Sequence, residues 1–237
     1  MVEKKLRAGD PHYRAYVGPP LQYDFMGITQ LALLYGVGLR EHHRVLDLGC
    51  GSLRAGRLLI PFLNEGMYFG IEPNPWLIEE GLRENLGQDM VRMKSPRFDH
   101  NDRFDCEVFG EQFDYIVAQS ILSHTKIDMG KRCVSNAAKV LKPDGLFLLT
   151  FQQVMHPEKH QDQYGDEWVY PGVVPTSEDA IADIFQHAGL SFWKLPWFHP
   201  RQTWYAAAIR PDRISPDDQK QLTGFVIDAE SLRPRPR

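Results

Sequence analysis

An apolar run ending in a glycine-rich bend, answered one strand–helix unit later by a second apolar run ending in a carboxylate, constrains this chain more than any other feature. The first is Val45-Leu46-Asp47-Leu48-Gly49-Cys50-Gly51-Ser52 and the second Phe69-Gly70-Ile71-Glu72. In that order, such runs let an open α/β sheet hold a nucleoside-like ligand at the carboxyl ends of its strands. Gly49 and Gly51 lack a Cβ, so the backbone turns tightly and a ligand can lie against it. Glu72 ends its strand with two oxygens that can accept from two ribose hydroxyls. Asp47 narrows the choice of ligand. A pyrophosphate site offers N–H groups and a helix N-terminus to negative charge, so a carboxylate two residues before the first glycine opposes phosphate. It suits a ligand carrying an ammonium and a sulfonium. Arg54 stands where G-x-G-x-x-G would place its third glycine, which leaves the dinucleotide fingerprint incomplete.

Strands and helices alternate around these motifs. Apolar residues at helical spacing predict a helix from Tyr23 to Tyr35, closed by Gly36 and Gly38. It either packs on the sheet or covers the ligand. Strands are expected near Arg44–Leu48, Met67–Ile71, Arg97–His100, Phe113–Ala118 and Leu146–Phe151. Helices are expected over Arg54–Phe62, from Pro75, and over Asp128–Val140. Lys142-Pro143-Asp144-Gly145 reads as a turn before the fifth strand. Residues 152–175 have no period and exceed an ordinary connection. Thr176-Ser177-Glu178-Asp179 then caps a helix running to Gly189, and two strands near Ser191–Trp197 and Thr203–Ile209 form a closing hairpin. The resulting fold class is α/β, a doubly wound, mostly parallel sheet with helices on both faces.

The motifs Asp47-x-Gly49-x-Gly51, Glu72, Asp102, Phe113-Asp114-Tyr115-Ile116-Val117-Ala118 and Leu141-Lys142-Pro143-Asp144-Gly145 occur in the order of class I S-adenosylmethionine (SAM)-dependent methyltransferases, which residues 40–210 resemble. That family's loop reads acidic-x-G-x-G-x-G. Here the last glycine is replaced by Leu53, a locally bulkier turn. The resemblance implies a seven-stranded sheet with a reversed last strand, and SAM as cofactor. It also implies backbone contacts from Gly49, Cys50 and Gly51 to the methionine part, with Asp47 at its ammonium. Glu72 would hold the ribose, Asn101 and Asp102 the adenine, and Gln119 and Ser120 the region of the sulfur. Each acid has a plainer role available: Asp47 and Glu72 as caps, Asp102 as a loop acid in water. Arg54 in a first helical turn opposes the helix dipole and gains from an anion, either the SAM carboxylate or an acidic substrate, unless solvent or a salt bridge takes it.

Methyl transfer to a hydroxyl benefits from a base. His124, just past the fourth strand, is the candidate catalytic base, its alternatives being to position substrate or cap the next helix. Tyr164, Trp168 and Tyr170 of the insert, with His199, Gln202 and Trp204 of the hairpin, are candidate substrate-binding residues. They form an amphipathic cluster suited to a polar organic acceptor, although such rings can also cover a sheet edge. Trp197 belongs to the same cluster. His156 and His160 are four apart, but Pro157 breaks the helix that would make the spacing a metal site, and no metal is expected.

The chain of 237 residues divides as an N-terminal arm and capping helix over 1–40, a methyltransferase domain over 41–210 with the insert 152–175, and a tail over 211–237 whose proline-rich end reads as poorly ordered. Its 43% apolar and 24% charged residues are those of a globular protein. A net charge of −4 without a basic block weighs against nucleic acid as partner. Three scattered cysteines read as free thiols. No apolar stretch fits a membrane span or a leader at the N-terminus, so a soluble, cytoplasmic protein with no membrane partner is expected. The sequence leaves the oligomeric state open. The function expected is SAM-dependent methylation of a small polar metabolite or sugar-like acceptor, at oxygen. The alternatives are a catalytically silent SAM-binding scaffold and a nucleotide-dependent reductase or epimerase. The reductase version lacks a Tyr-x-x-x-Lys pair.

Overall fold

Short apolar runs flanked by glycine and proline become the middle of a sheet because both of their faces can be covered by helices. The computed structural model describes residues 6–223. The chain opens with α1 (Tyr13–Tyr16) and α2 (Tyr23–Gly36), then β1 (Val45–Leu48), α3 (Gly56–Phe62) and β2 (Tyr68–Ile71). Next come α4 (Pro75–Asn85), α5 (Gly87–Lys94), β3 (Arg97–Asp99) and β4 (Phe113–Ala118). The second half holds α6 (Ile127–Val140), β5 (Leu141–Gln153), β6 (Pro175–Thr176), α7 (Glu178–His187), β7 (Ser191–Lys194), β8 (Gln202–Ala208) and α8 (Pro216–Thr223).

The sheet runs β3-β2-β1-β4-β5-β8-β7, with β6 pairing β5 off this path. Strands β1 to β6 pair in parallel, and β8 is antiparallel to both β5 and β7, which makes it the reversed strand. The strand order turns back between β1 and β4, and ligands of open α/β sheets bind at the carboxyl ends of strands at such a point. One face buries Phe69, Phe113, Phe147, Phe151 and Phe185. The other buries Tyr68, Tyr115, Leu148 and Trp204 under α2 and α3. No helix of the described residues is long and apolar enough to cross a membrane.

The sheet has eight strands where seven were expected, because β6 is two residues long and carries no period. Strand β5 begins at Leu141, five residues early. Leu141 pairs Phe113 and Leu146 pairs Tyr115, so Lys142-Pro143-Asp144-Gly145 bulges out of the strand instead of preceding it. The Lys142 ammonium fastens the bulge to Asp114 at 2.8 Å. Helix α5 was not anticipated. Gly87, at φ +77°, breaks it from α4. Helix α8 lies in the expected tail, with Leu222 against Gly36. The expectations about the proline-rich end and the first five residues fall outside the described residues.

Candidate cofactor and acceptor site

The bend after β1 is held from several sides. Gly49 and Gly51 have φ of +66° and +55°, a conformation that glycine adopts without a Cβ penalty. Leu53 takes the same left-handed conformation at φ +60°, as the family's glycine would, but with a buried side chain. Helices approach the bend through glycines. A Cβ on Gly27 of α2 would lie 2.3 Å from the Arg54 carbonyl oxygen, and one on Gly81 of α4 would lie 2.4 Å from that of Ser52. The N–H groups of Gly49 and Cys50 donate to the Ile71 carbonyl (2.8 and 3.1 Å) and that of Gly51 to Glu72 Oε2 (3.1 Å). A phosphate would need those donors and finds them taken.

A cavity of about 620 Å³ opens at the ends of β1, β2 and β4. Asp47 borders it, 4% exposed, accepting from the Tyr68 hydroxyl at 2.8 Å. Burial pushes its carboxyl up to about 7, against the Tyr68 hydrogen bond and the charge of Arg54, which favour the ionised form. Glu72 accepts from Gly51 N–H, from Asn74 N–H at 2.9 Å and from the Asn74 amide at 2.7 Å, and burial raises its pKa too. The acid therefore braces the bend and the start of α4 while still bordering the cavity. Arg54 donates to the Val17 carbonyl at 2.9 Å and forms no ion pair with the described residues. This donor set fits SAM: acids at the loop and the ribose position, an unpaired guanidinium, and no free N–H cluster for phosphate.

Beyond β4 lies a polar network. Ser120, at φ +62°, donates its N–H to Thr150 Oγ1 at 2.8 Å. The Thr150 hydroxyl donates to Gln202 Oε1, and Gln202 Nε2 to Ser123 Oγ at 3.0 Å. His199 Nδ1 accepts from the N–H groups of Arg201 and Gln202, which leaves the proton on Nε2, 3.3 Å from Ser120 Oγ. Burial, with Arg201 and Arg54 nearby, pushes its pKa down to about 3, so this imidazole stays neutral. His124 has the opposite tautomer. Its Nδ1–H donates to the Gly172 carbonyl at 2.6 Å, and burial lowers its pKa, leaving Nε2 with a lone pair beside the cavity. The insert grips it further, as Val169 N–H donates to the His124 carbonyl at 2.8 Å.

Asp47, Gly49, Cys50, Gly51, Arg54, Glu72, Asp102, Gln119, Ser120, His124, Trp168, Tyr170 and Gln202 all line this one cavity. Four other candidates lie elsewhere. Asn101 is engaged with Asp99 and Asp105, closing the turn after β3. Tyr164 is exposed on the insert, away from the cavity. Trp204, 1% exposed, is core under the sheet. His199 stands behind Ser120, one layer out. Trp168 donates to the Asp102 carbonyl at 3.0 Å, which ties the insert to the loop after β3. The sequence reading missed Tyr16, Val17, Gln30 and Arg201, which also line the cavity. Pro19-Pro20 and the aromatic residues of the arm were the available signal for the first two. Gln30 interrupts the apolar pattern of α2. Arg201 has no local pattern.

No curated protein matches the chain. Solved structures share its fold at low identity. A SAM-dependent methyltransferase from Clostridium acetobutylicum is 13% identical with a TM-score of 0.59, over 79% of this chain and 92% of the other. Magnesium protoporphyrin IX methyltransferase from Synechocystis with bound SAM is 16% identical with a TM-score of 0.56, over 79% and 82%. A glycopeptide N-methyltransferase complexed with S-adenosylhomocysteine is 13% identical with a TM-score of 0.58, over 79% and 90%. The family model described as a methyltransferase domain matches residues 21–195, most of the sequence, so the chain belongs to that family and is a SAM-dependent methyltransferase.

Proposed function

We propose that this methyltransferase acts on a hydroxyl oxygen of a small polar acceptor, with His124 taking the proton. Glu72 would hold the ribose hydroxyls, Asp102 the adenine amine, Asp47 the ammonium and Arg54 the carboxylate of the methionine part. SAM, when bound, supplies an activated methyl on a good leaving group, so the chain's task is alignment and exclusion of water.

The observation that carries the reading is the His124 tautomer. With Nδ1–H committed to Gly172 at 2.6 Å, the available nitrogen is an acceptor, and the lowered pKa keeps it unprotonated at neutral pH. Tyr170 packs edge-on against the ring, 5.1 Å between centroids, and limits its rotation. The test is His124→Asn, assayed by S-adenosylhomocysteine release over a panel of hydroxylated acceptors. Turnover should fall about 10²–10⁴-fold with the affinity for S-adenosylhomocysteine unchanged. Wild-type turnover should itself decline as pH drops below the ordinary histidine range. Undiminished turnover in the variant would remove His124 from the reaction.

A further inference from the structure

Charge is unevenly spread around the cavity. Its acids lie in β1 (Asp47) and after β2 and β3 (Glu72 and Asp102), whereas Arg54 precedes α3 and Arg201 lies in the β7–β8 connection. Among the described residues each guanidinium has only a neutral acceptor: the Val17 carbonyl for Arg54, and the Gln22 amide oxygen, at 2.8 Å, for Arg201. The two cations are near enough to repel: burial lowers the pKa of Arg54, Tyr23 and Asp47 raise it, and Arg201 adds a smaller lowering. Arg201 is exposed and lines the cavity, so water solvates its charge and its remaining N–H groups stay available to an incoming anion, whereas Arg54 is partly buried with the charge of Asp47 nearby. One anion is assigned above, the carboxylate of the cofactor at Arg54. Arg201 is left over.

Neutral donors accumulate at the same place. Gln119 is 5% exposed and neither its Nε2 nor its Oε1 has a partner. Gln30 of α2 is 3% exposed, and its side chain makes no hydrogen bond with the described residues. Both line the cavity, and the buried, unpaired Gln119 amide calls for a ligand that satisfies it. The imidazoles of His124 and His199 are both neutral here, so neither cancels the arginine charge.

We propose that Arg201 turns the acceptor end of the cavity into an oxyanion subsite. The methyl acceptor is then a hydroxylated acid, its carboxylate or phosphate ester held by the free edge of the Arg201 guanidinium while its hydroxyl meets His124. The inference rests on the O-methylation reading and adds the acceptor's charge to it. A planar guanidinium with unspent N–H groups matches an oxyanion in charge and geometry.

The test is calorimetric and needs no turnover. Protein loaded with S-adenosylhomocysteine is titrated with matched pairs: 3-hydroxybenzoate and its amide, glucuronate and glucuronamide, glucose 6-phosphate and glucose. At least one anion should bind about tenfold tighter than its neutral twin, and which pair responds separates carboxylate from phosphate. Arg201→Gln should abolish that preference and Arg201→Lys should restore part of it, both with S-adenosylhomocysteine affinity unchanged. Three results would overturn the proposal: no anion preferred, a preference that survives Arg201→Gln, or cofactor-product affinity falling about tenfold in that variant. The last would make Arg201 a second ligand of the cofactor's carboxylate. Because binding is the readout, failure here leaves the role of His124 standing, and inactivity of His124→Asn says nothing against the anion.

Discussion

Leu53 sits at φ +60°, where a side chain strains the backbone by about 1–2 kcal/mol, yet it is fully buried between the bend and α4. Restoring the family's glycine therefore removes strain and a core side chain together. Truncating a buried leucine costs about 2–5 kcal/mol, so Leu53→Gly should lower stability by about 2–4 kcal/mol in a denaturant titration. The packing loss outweighs the relief. Asp47 gives a second residue-level expectation. Its carboxyl rises from 3.8 to about 7 on folding, so the folded chain binds the extra proton between those values and stability falls as pH rises through that window. Asp47→Asn should accordingly raise the melting temperature of the ligand-free protein at about pH 8. It should also flatten the pH dependence of cofactor affinity, which on the proposed role of Asp47 at the ammonium should weaken in the native chain below about pH 7 as the carboxyl is protonated. Calorimetry at stepped pH reads both signs. The motif residues were legible because spacing and chemistry fix them jointly. Arg201 was not, because its role comes from what it faces across the cavity, and no local pattern encodes that.

Among the elements, the two helices against the bend are placed by what is missing from them. Gly27 and Gly81 each let a helix touch backbone carbonyls that cannot step aside, so Gly27→Ala and Gly81→Ala should each cost about 1–3 kcal/mol and weaken S-adenosylhomocysteine binding. Gly66→Ala is the control. With φ at +72° and nothing within 4 Å of its Cβ, it should lose only the conformational term of about 1 kcal/mol and leave binding unchanged. Denaturant midpoints and binding isotherms on the three variants separate packing from conformation. Strands β1, β2 and β4 were readable since continuous apolar runs between turn signals have few other uses in an α/β chain. Strand β6 and helix α5 were not. The first is too short to show a period, and the second follows α4 across Gly87, which reads as a stop. The early start of β5 escaped for a related reason: Pro143 and Gly145 mark a turn whether it precedes a strand or bulges from one.

At the scale of the whole molecule, chain segments distant in sequence meet over the cavity. The Tyr170 hydroxyl of the insert donates to the Tyr16 carbonyl of the arm, and their rings pack at 5.3 Å between centroids. Tyr16 also meets Trp76 of α4 edge-on at 5.2 Å. Val17 is pinned by Arg54, a residue assigned to the cofactor. The arm and the insert therefore form one roof resting on Arg54, the proposed partner of the cofactor's carboxylate, and their contributions to binding should be coupled. Tyr16→Ala and Tyr170→Ala should each weaken S-adenosylhomocysteine binding, and the double variant should lose less than the sum of the two, by about 0.5–1.5 kcal/mol, the worth of an aromatic pair. Additive losses would mean two independent walls. Hydrogen exchange supplies a second readout, because a shared roof should gain protection over residues 8–19 and 168–173 together when S-adenosylhomocysteine binds, and each single variant should remove that gain from both segments.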